Sequence, residues 1–178
     1  MVEPDVETGT RLATEHLIFR GHQNIGLALL WDNPLRFAGW RQALSEAGLR
    51  APKVRYFAHE AMGGARLSMA PAKRILQRLV KTQGCTAIVA ENDLWAARLL
   101  QVCHQTGLRV PEDVAIVGYN NLEFSEFTSP ALTTVDEDNV GIGNALVDRL
   151  LACIQGTVDP EAPRIISVQP SMVVRDSS

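Results

Sequence analysis

One unit recurs along this 178-residue chain: a short apolar run without polar alternation, a polar loop, then a segment of helical period closed by glycine. The runs are Ile25–Leu30 (IGLALL), Val54–Phe57, Ala87–Ala90 (AIVA) and Val114–Val117 (VAIV). Strands that are apolar throughout are covered on both faces, and one helix between successive strands makes their pairing parallel. Right-handed crossovers then distribute the helices over both sides of the sheet. The expected fold class is α/β, a doubly wound parallel sheet in a Rossmann-like three-layer α/β/α sandwich.

The helical segments carry start and stop signals. Between Gly9 and Arg20, Leu12 pairs with His16 and Ala13 with Leu17 at i,i+4, and Gly21 ends the run. Asp32 and Asn33 offer capping oxygens before Pro34, then Phe37, Trp40, Leu44 and Ala47 repeat at helical spacing up to Gly48. Ala72, Ile75, Leu76, Leu79 and Val80 form a stripe closed by Gly84, and Ala96, Leu99, Leu100 and Cys103 one closed by Gly107. After Tyr119 the unit breaks down. Ser129-Pro130 marks a loop, Leu132–Val135 a short strand, and Asn139 to Gln155 a long helix striped by Val140, Leu146, Val147, Leu150, Leu151 and Ile154. Ile165–Val168 and Met172–Val174, around Pro170, read as one or two edge strands.

Composition narrows the function classes. With 46% apolar and 21% charged residues, the chain has the make-up of a single globular domain. Its 17 Lys+Arg against 20 Asp+Glu give a net charge of −3, which argues against a strongly basic nucleic-acid arm. No apolar run approaches the about 18 residues that span a bilayer, and MVEPDVETGT lacks the parts of a secretory signal, so a cytoplasmic protein without membrane partners is expected. Cys85, Cys103 and Cys153 are odd in number without CxxC spacing, which suits buried thiols better than a disulfide frame or a zinc site. His16, His22, His59 and His104 show no metal-ligand spacing. GxSxG, GxGxxG and GxxxxGK[ST] are missing, so neither an enzyme nor a bound cofactor is expected.

In an open parallel sheet, ligands bind beyond the carboxyl ends of the strands. That rule nominates Trp31, Asp32 and Arg36 after the first run, and Ala58, His59 and Glu60 after the second. Glu91, Asn92 and Asp93 follow the third, and Tyr119, Asn120 and Asn121 the fourth. Amides, carboxylates, an arginine and aromatic faces together suit a small polyhydroxylated or carboxylated ligand. Each residue also has a plainer role open to it. Asn92 and Asp93 can cap a helix, Arg36 can be a solvated charge, and Trp31, Trp40 and Trp95 can be core or interface residues.

Several segments resemble one family in order: GTRLATEHLIFRGHQNIGLAL, LRFAGWRQAL, AIVAENDLWA, LRVPEDVAIVGYNN, SPALTTVDED and MVVRDSS. They are similar to the helix–GH–strand entry, the R-x-x-G-[FW] helix, the N-D-x-x-A corner, the P-x-D…G-[FY]-[DN] run, the P-x-L-[ST]-[ST]-[VI] crossover and the terminal R-x-S of the lactose-repressor (LacI/GalR) family of transcription regulators. The resemblance covers the effector-sensing core, a type I periplasmic-binding-protein-like fold.

The resemblance implies a full-length plan of helix-turn-helix, hinge helix and a two-subdomain sensor crossed three times by the chain. Residues 1–178 would be a truncated sensor, mostly the C-terminal subdomain, from an excised fragment or a reading frame that starts late. Residues 1–24 and 131–156 would be remnants of the N-terminal subdomain, and 25–120 and 160–178 the C-terminal one. The stripes of the first and the late helix would then lack their usual cover. The resemblance also implies an effector contact for Arg36, places Asn92 and Asp93 on the N-D corner, and sets Asn120 where relatives commonly carry an Asp that holds ligand hydroxyls. Glu137 stands at the crossover where relatives often carry Gln, Trp31 belongs to a shortened WDNP loop, and His59 or Met62 occupies the region of an aromatic stacker. The implied partners are a small-molecule effector (a sugar or related polar metabolite), a second copy of the chain in a homodimer, and operator DNA reached only through a helix-turn-helix that these residues do not contain. The effector itself stays unnamed. A solute-binding protein of a sugar transporter is the alternative, and fold alone also permits an enzyme.

Overall fold

The computed structural model describes residues 1–52, 55–58, 69–157 and 165–178. In chain order its elements are β1 (Val2–Pro4), α1 (Val6–Phe19), β2 (Ile25–Leu29), α2 (Pro34–Glu46), β3 (Tyr56–Ala58), α3 (Ala70–Leu76), β4 (Ala87–Ala90), α4 (Asp93–Thr106), β5 (Ala115–Tyr119), β6 (Thr133–Asp136), α5 (Asn139–Gln155), β7 (Ile166–Val168) and β8 (Ser171–Val173). A π-helical stretch, Gln77–Thr82, continues α3, and a 3₁₀ turn, Glu123–Phe127, follows β5.

The main sheet runs β3-β2-β4-β5-β6-β8, parallel except for the antiparallel edge pair β6/β8. The chain steps outward from β2 to β3, then back across to β4 and on to β5 and β6. That reversal between β2 and β4 is the switch point of a doubly wound sheet, where two helix N-termini diverge and leave a crevice.

Two apolar layers cover the sheet. On one face Leu27, Leu29, Val89 and Val117 pack under Ala13 and Leu17 of α1 and Trp40 and Leu44 of α2. On the other, Ile88 and Ile116 meet Ile75 and Leu76 of α3, Leu79, and Leu99 and Leu100 of α4. At about 1.5–3 kcal/mol per large apolar side chain removed from water, these layers dominate the stability of the molecule.

Local signals explain the helix ends. Asn33 accepts from the Arg36 amide (3.1 Å) with Pro34 at the first helical position, and Asn92 accepts from the Trp95 amide (3.0 Å). Gly107 closes α4 with φ 74° in the left-handed region. Gly39 has a different purpose: a Cβ there would stand 2.1 Å from the Glu7 carbonyl, so its absence lets α1 and α2 touch backbone to backbone.

The stripe of α1 is seated on the main core: Ala13 and Leu17 are fully buried there, while Leu12 and His16 are half-buried. The buried face also holds Thr10 and Thr14, whose hydroxyls donate to the carbonyls of Val6 (2.9 Å) and Thr10 (2.8 Å). That back-bonding satisfies them, so polar side chains can occupy a core face.

The late helix α5 does lack cover. It has no buried residue, and Val140, Leu150 and Ile154 are exposed. Its neighbours are β1 and β7, which pair in parallel as a separate two-stranded sheet, Val2 opposite Ile166. The two tail strands thus serve different sheets, β7 with β1 and β8 with β6. Beyond β8 the tail is pinned into the main sheet: the Ser177 hydroxyl donates to the Ile116 carbonyl (2.6 Å) and accepts from the Thr133 amide (2.9 Å).

Candidate ligand-binding crevice

Strand parity decides what lines the crevice. Leu29, Val89, Val117 and Val135 all face the α1/α2 layer. Two residues further along each strand stand Trp31, Glu91, Tyr119 and Glu137, so an aromatic, a carboxylate, a phenol and a second carboxylate leave the sheet on one side.

Arg36, in the first turn of α2, reaches over this end of the sheet. Its Cζ lies 3.9 Å from the ring centroid of Tyr119. The residue is only 8% exposed, yet among the described residues its guanidinium has no ion-pair or hydrogen-bond acceptor. Tyr119 is fully buried and its hydroxyl has no hydrogen-bond partner among the described residues; burial and the nearby Glu137 and Asp5 hold it above the usual tyrosine range.

Glu91 ends β4. Its Oε2 accepts from the Leu30 amide across the switch point, which ties the ends of β2 and β4 together. Burial raises its pKa, opposed by that amide and by Arg36. Asn120 Nδ2 donates to Glu137 Oε2 (2.6 Å), joining the end of β5 to the crossover after β6. Asn121 Nδ2 does the same with Asp136 Oδ2 (2.9 Å). Both asparagines have positive φ, 97° and 46°, a conformation their short polar side chains tolerate.

Asp93 lies below this surface and is fully buried. Its Oδ2 accepts from the Leu122 amide (2.7 Å) and the Ser125 hydroxyl (2.8 Å), and its Oδ1 from the Thr134 hydroxyl (2.5 Å). A Cβ on Gly118 would stand 2.2 Å from Oδ1, so the glycine after Val117 makes room for the carboxylate. Burial raises the Asp93 pKa against those donors. The residue ties α4, the 3₁₀ turn and β6 together from beneath the crevice.

Of the residues nominated from sequence, Arg36, Asn120 and Glu137 come together at the strand ends. Asn92 caps α4, and Trp31 stands at the outer rim, 58% exposed. His59, Glu60 and Met62 lie outside the described residues. Residue order places Glu91 and Tyr119 only on the rim, whereas strand parity is the signal that brings them inward. Unforeseen is the Tyr56 hydroxyl, which donates to Asp32 and accepts from the Asn33 amide (3.3 Å), tethering the WDNP loop to β3. Burial and Asp32 push its pKa to about 12.

A polar crevice at the carboxyl ends of a doubly wound sheet is the place where open α/β sheets as a class receive ligands. Residues 14–178 match the model of the periplasmic binding protein-like domain, and the chain belongs to that family. Its relatives are LacI-type regulators. It is 36% identical over 175 residues to the transcriptional repressor PurR of Aliivibrio salmonicida, covering 96% of this chain and 50% of that protein. It is 35% identical over 154 residues to the lactose operon repressor of Escherichia coli K12, covering 84% and 41%. Among solved structures it superposes on the CelR–cellobiose complex with TM-score 0.82 at 27% identity, covering 99% of this chain and 53% of that one. The lac repressor dimer bound to operator and an anti-inducer gives 0.80 at 29%, covering 99% and 60%. The chain spans about half the length of the curated relatives it matches. These relatives are transcription regulators, not enzymes, and no helix among the described residues is long and apolar enough to cross a membrane.

Proposed function

We propose that this chain is the effector-sensing part of a LacI-type transcription regulator. It receives a small polar molecule, a sugar or similar metabolite, at the carboxyl ends of β2, β4, β5 and β6. The observation that carries this reading is Arg36: a buried guanidinium, held on an aromatic ring, with no acceptor among the described residues. A buried charge kept unpaired is costly unless something else completes its hydrogen bonds. Asn120 and Glu137 are the further contacts, while Asn92 and Asp93 support the corner beneath. Similar solved regulators, one in complex with cellobiose and another with bound ribose, support a sugar. They favour a sensor over a transport protein.

In this reading α1 belongs with the main sheet, and β1, β7 and α5 are the part that meets the rest of a longer sensor. Operator contact falls to a segment outside these residues, since a chain of net charge −3 releases few counterions on DNA. Two copies associate as a homodimer. Isothermal titration with mono- and disaccharides tests the crevice. At least one should bind, and Arg36→Ala should weaken it at least about tenfold, the loss of a charge-assisted hydrogen bond. A variant that binds the same sugar with unchanged affinity removes Arg36 from the site.

A further inference from the structure

The described residues include four buried charged side chains, Arg36, Glu91, Asp93 and Glu137, and all of them gather at the carboxyl end of the main sheet. One is a cation and three are carboxylates. Asp93 has both oxygens occupied by protein donors, so it has nothing to offer a ligand. Glu91 and Glu137 differ. Each engages one oxygen, with the Leu30 amide and the Asn120 side chain respectively, and the other has no donor among the described residues. Because Asn120 gives its Nδ2 to Glu137, its carbonyl oxygen is left as an acceptor. A ligand therefore meets one five-donor cation, Arg36, and two acceptor-only carboxylates, with an amide oxygen beside one of them.

Three ligand types respond differently to that set. A carboxylate or phosphate pairs with Arg36 but brings a further negative charge among three buried ones. A neutral polyol satisfies every acceptor with hydroxyls and leaves the excess negative charge buried. A polyol with one ammonium satisfies the same acceptors and offsets the charge; its three N–H donors suit the Glu137 oxygen and the Asn120 carbonyl together. Resting on the sensing reading above, we infer that the effector is a polyhydroxylated molecule carrying one protonated amine, received by Glu137 and Asn120, with hydroxyls on Arg36 and Glu91. Carboxylated and phosphorylated counterparts are excluded by the same carboxylates.

The test uses the whole chain and matched sugars in the gluco, galacto and manno series: the neutral hexose, its 2-amino-2-deoxy form, its uronate and its 6-phosphate, titrated at millimolar concentration and low salt. Expected is an amino sugar bound at least about tenfold more tightly than its neutral counterpart, with no detectable binding of the uronate or phosphate. Glu137→Gln keeps an acceptor for Asn120 and removes the charge, so it should bring the amino-to-neutral preference to about one. Glu91→Gln is the second variant and should reduce the same preference. A uronate or phosphate bound as tightly as its amino counterpart overturns the inference. So does a neutral hexose that binds while no amino sugar does, or a preference that survives in both variants; the sensing reading stands in each case. Absence of binding in every charge form overturns the crevice reading itself.

Discussion

The Arg36 guanidinium is seated on the ring of Tyr119, with 3.9 Å between Cζ and the ring centroid. A cation on a desolvated aromatic face gains about 2 kcal/mol, enough to hold this side chain without an anion. The ring supplies that platform, whereas the hydroxyl does not. It is buried without a hydrogen-bond partner among the described residues, so close to Gly9 that a Cβ there would stand 2.1 Å from it. Tyr119→Phe should therefore raise stability by about 1 kcal/mol, the penalty of an unsatisfied buried hydroxyl. Urea unfolding reads this directly, and a lower midpoint in the variant would contradict it.

The second expectation separates two adjacent residues. Asp93→Ala strips the acceptor from two hydroxyls and the Leu122 amide in a fully buried site, so it should cost about 3–5 kcal/mol. Asn92→Ala removes only a helix cap and should cost about 1 kcal/mol. Equal losses in the two variants would show that Asp93 does not bind the corner together.

Glu91 gives a pH dependence. Burial raises its folded-state pKa above the ordinary value of 4.5. Between those two values the folded chain holds a proton that the unfolded chain has released, which favours folding. This contribution is complete below the ordinary value and is lost as pH rises through the folded one. Glu91→Gln keeps an acceptor for the Leu30 amide and carries no charge. Its Tm should exceed the parent's at neutral pH, and the difference should shrink toward pH ~4. A constant difference across that range would remove the charge from the explanation.

The uncovered face of α5 predicts self-association. Val147, Leu150, Leu151 and Ile154 are 56%, 60%, 48% and 73% exposed. At about 25 cal/mol per Å², such a stripe gains by meeting a second copy. Light scattering should show a dimer or larger species at ~100 μM, well above the range of micromolar contacts. Leu150→Glu should shift it toward monomer with less than about 0.5 kcal/mol change in stability, since no residue of the helix is buried. A parent chain that stays monomeric would refute the expectation.

Much of this architecture can be read from residue order because burial on both sheet faces leaves an unmistakable mark. The run AIVA is strand β4 residue for residue, and Asn139 to Gln155 is α5 with both ends as expected. The crevice was legible in kind but not in detail. Spacing places Asn92 and Asp93 at one corner, yet only three-dimensional packing sends Asp93 inward to Thr134 and Ser125 and leaves Asn92 as the cap. Likewise the tail offers two similar short strands, and nothing local tells which sheet each will join. Thr10 and Thr14 can be buried because their hydroxyls are satisfied within the helix, a solution that composition does not reveal.

The pairing of Val2 with Ile166 has a kinetic meaning. A two-stranded ribbon closed across nearly the whole chain gains little local contact for a large loss of chain entropy. It stands beside a helix with no buried residue, while β4 and β5 are interior strands, fully buried. Amide exchange should therefore find two populations: protons in β1, β7 and α5 released by frequent partial opening, and protons in β4 and β5 released only when the whole sheet comes apart. Strands β1 and β7 can separate and rejoin many times within the lifetime of a single folded core, while the last residues stay pinned to the main sheet.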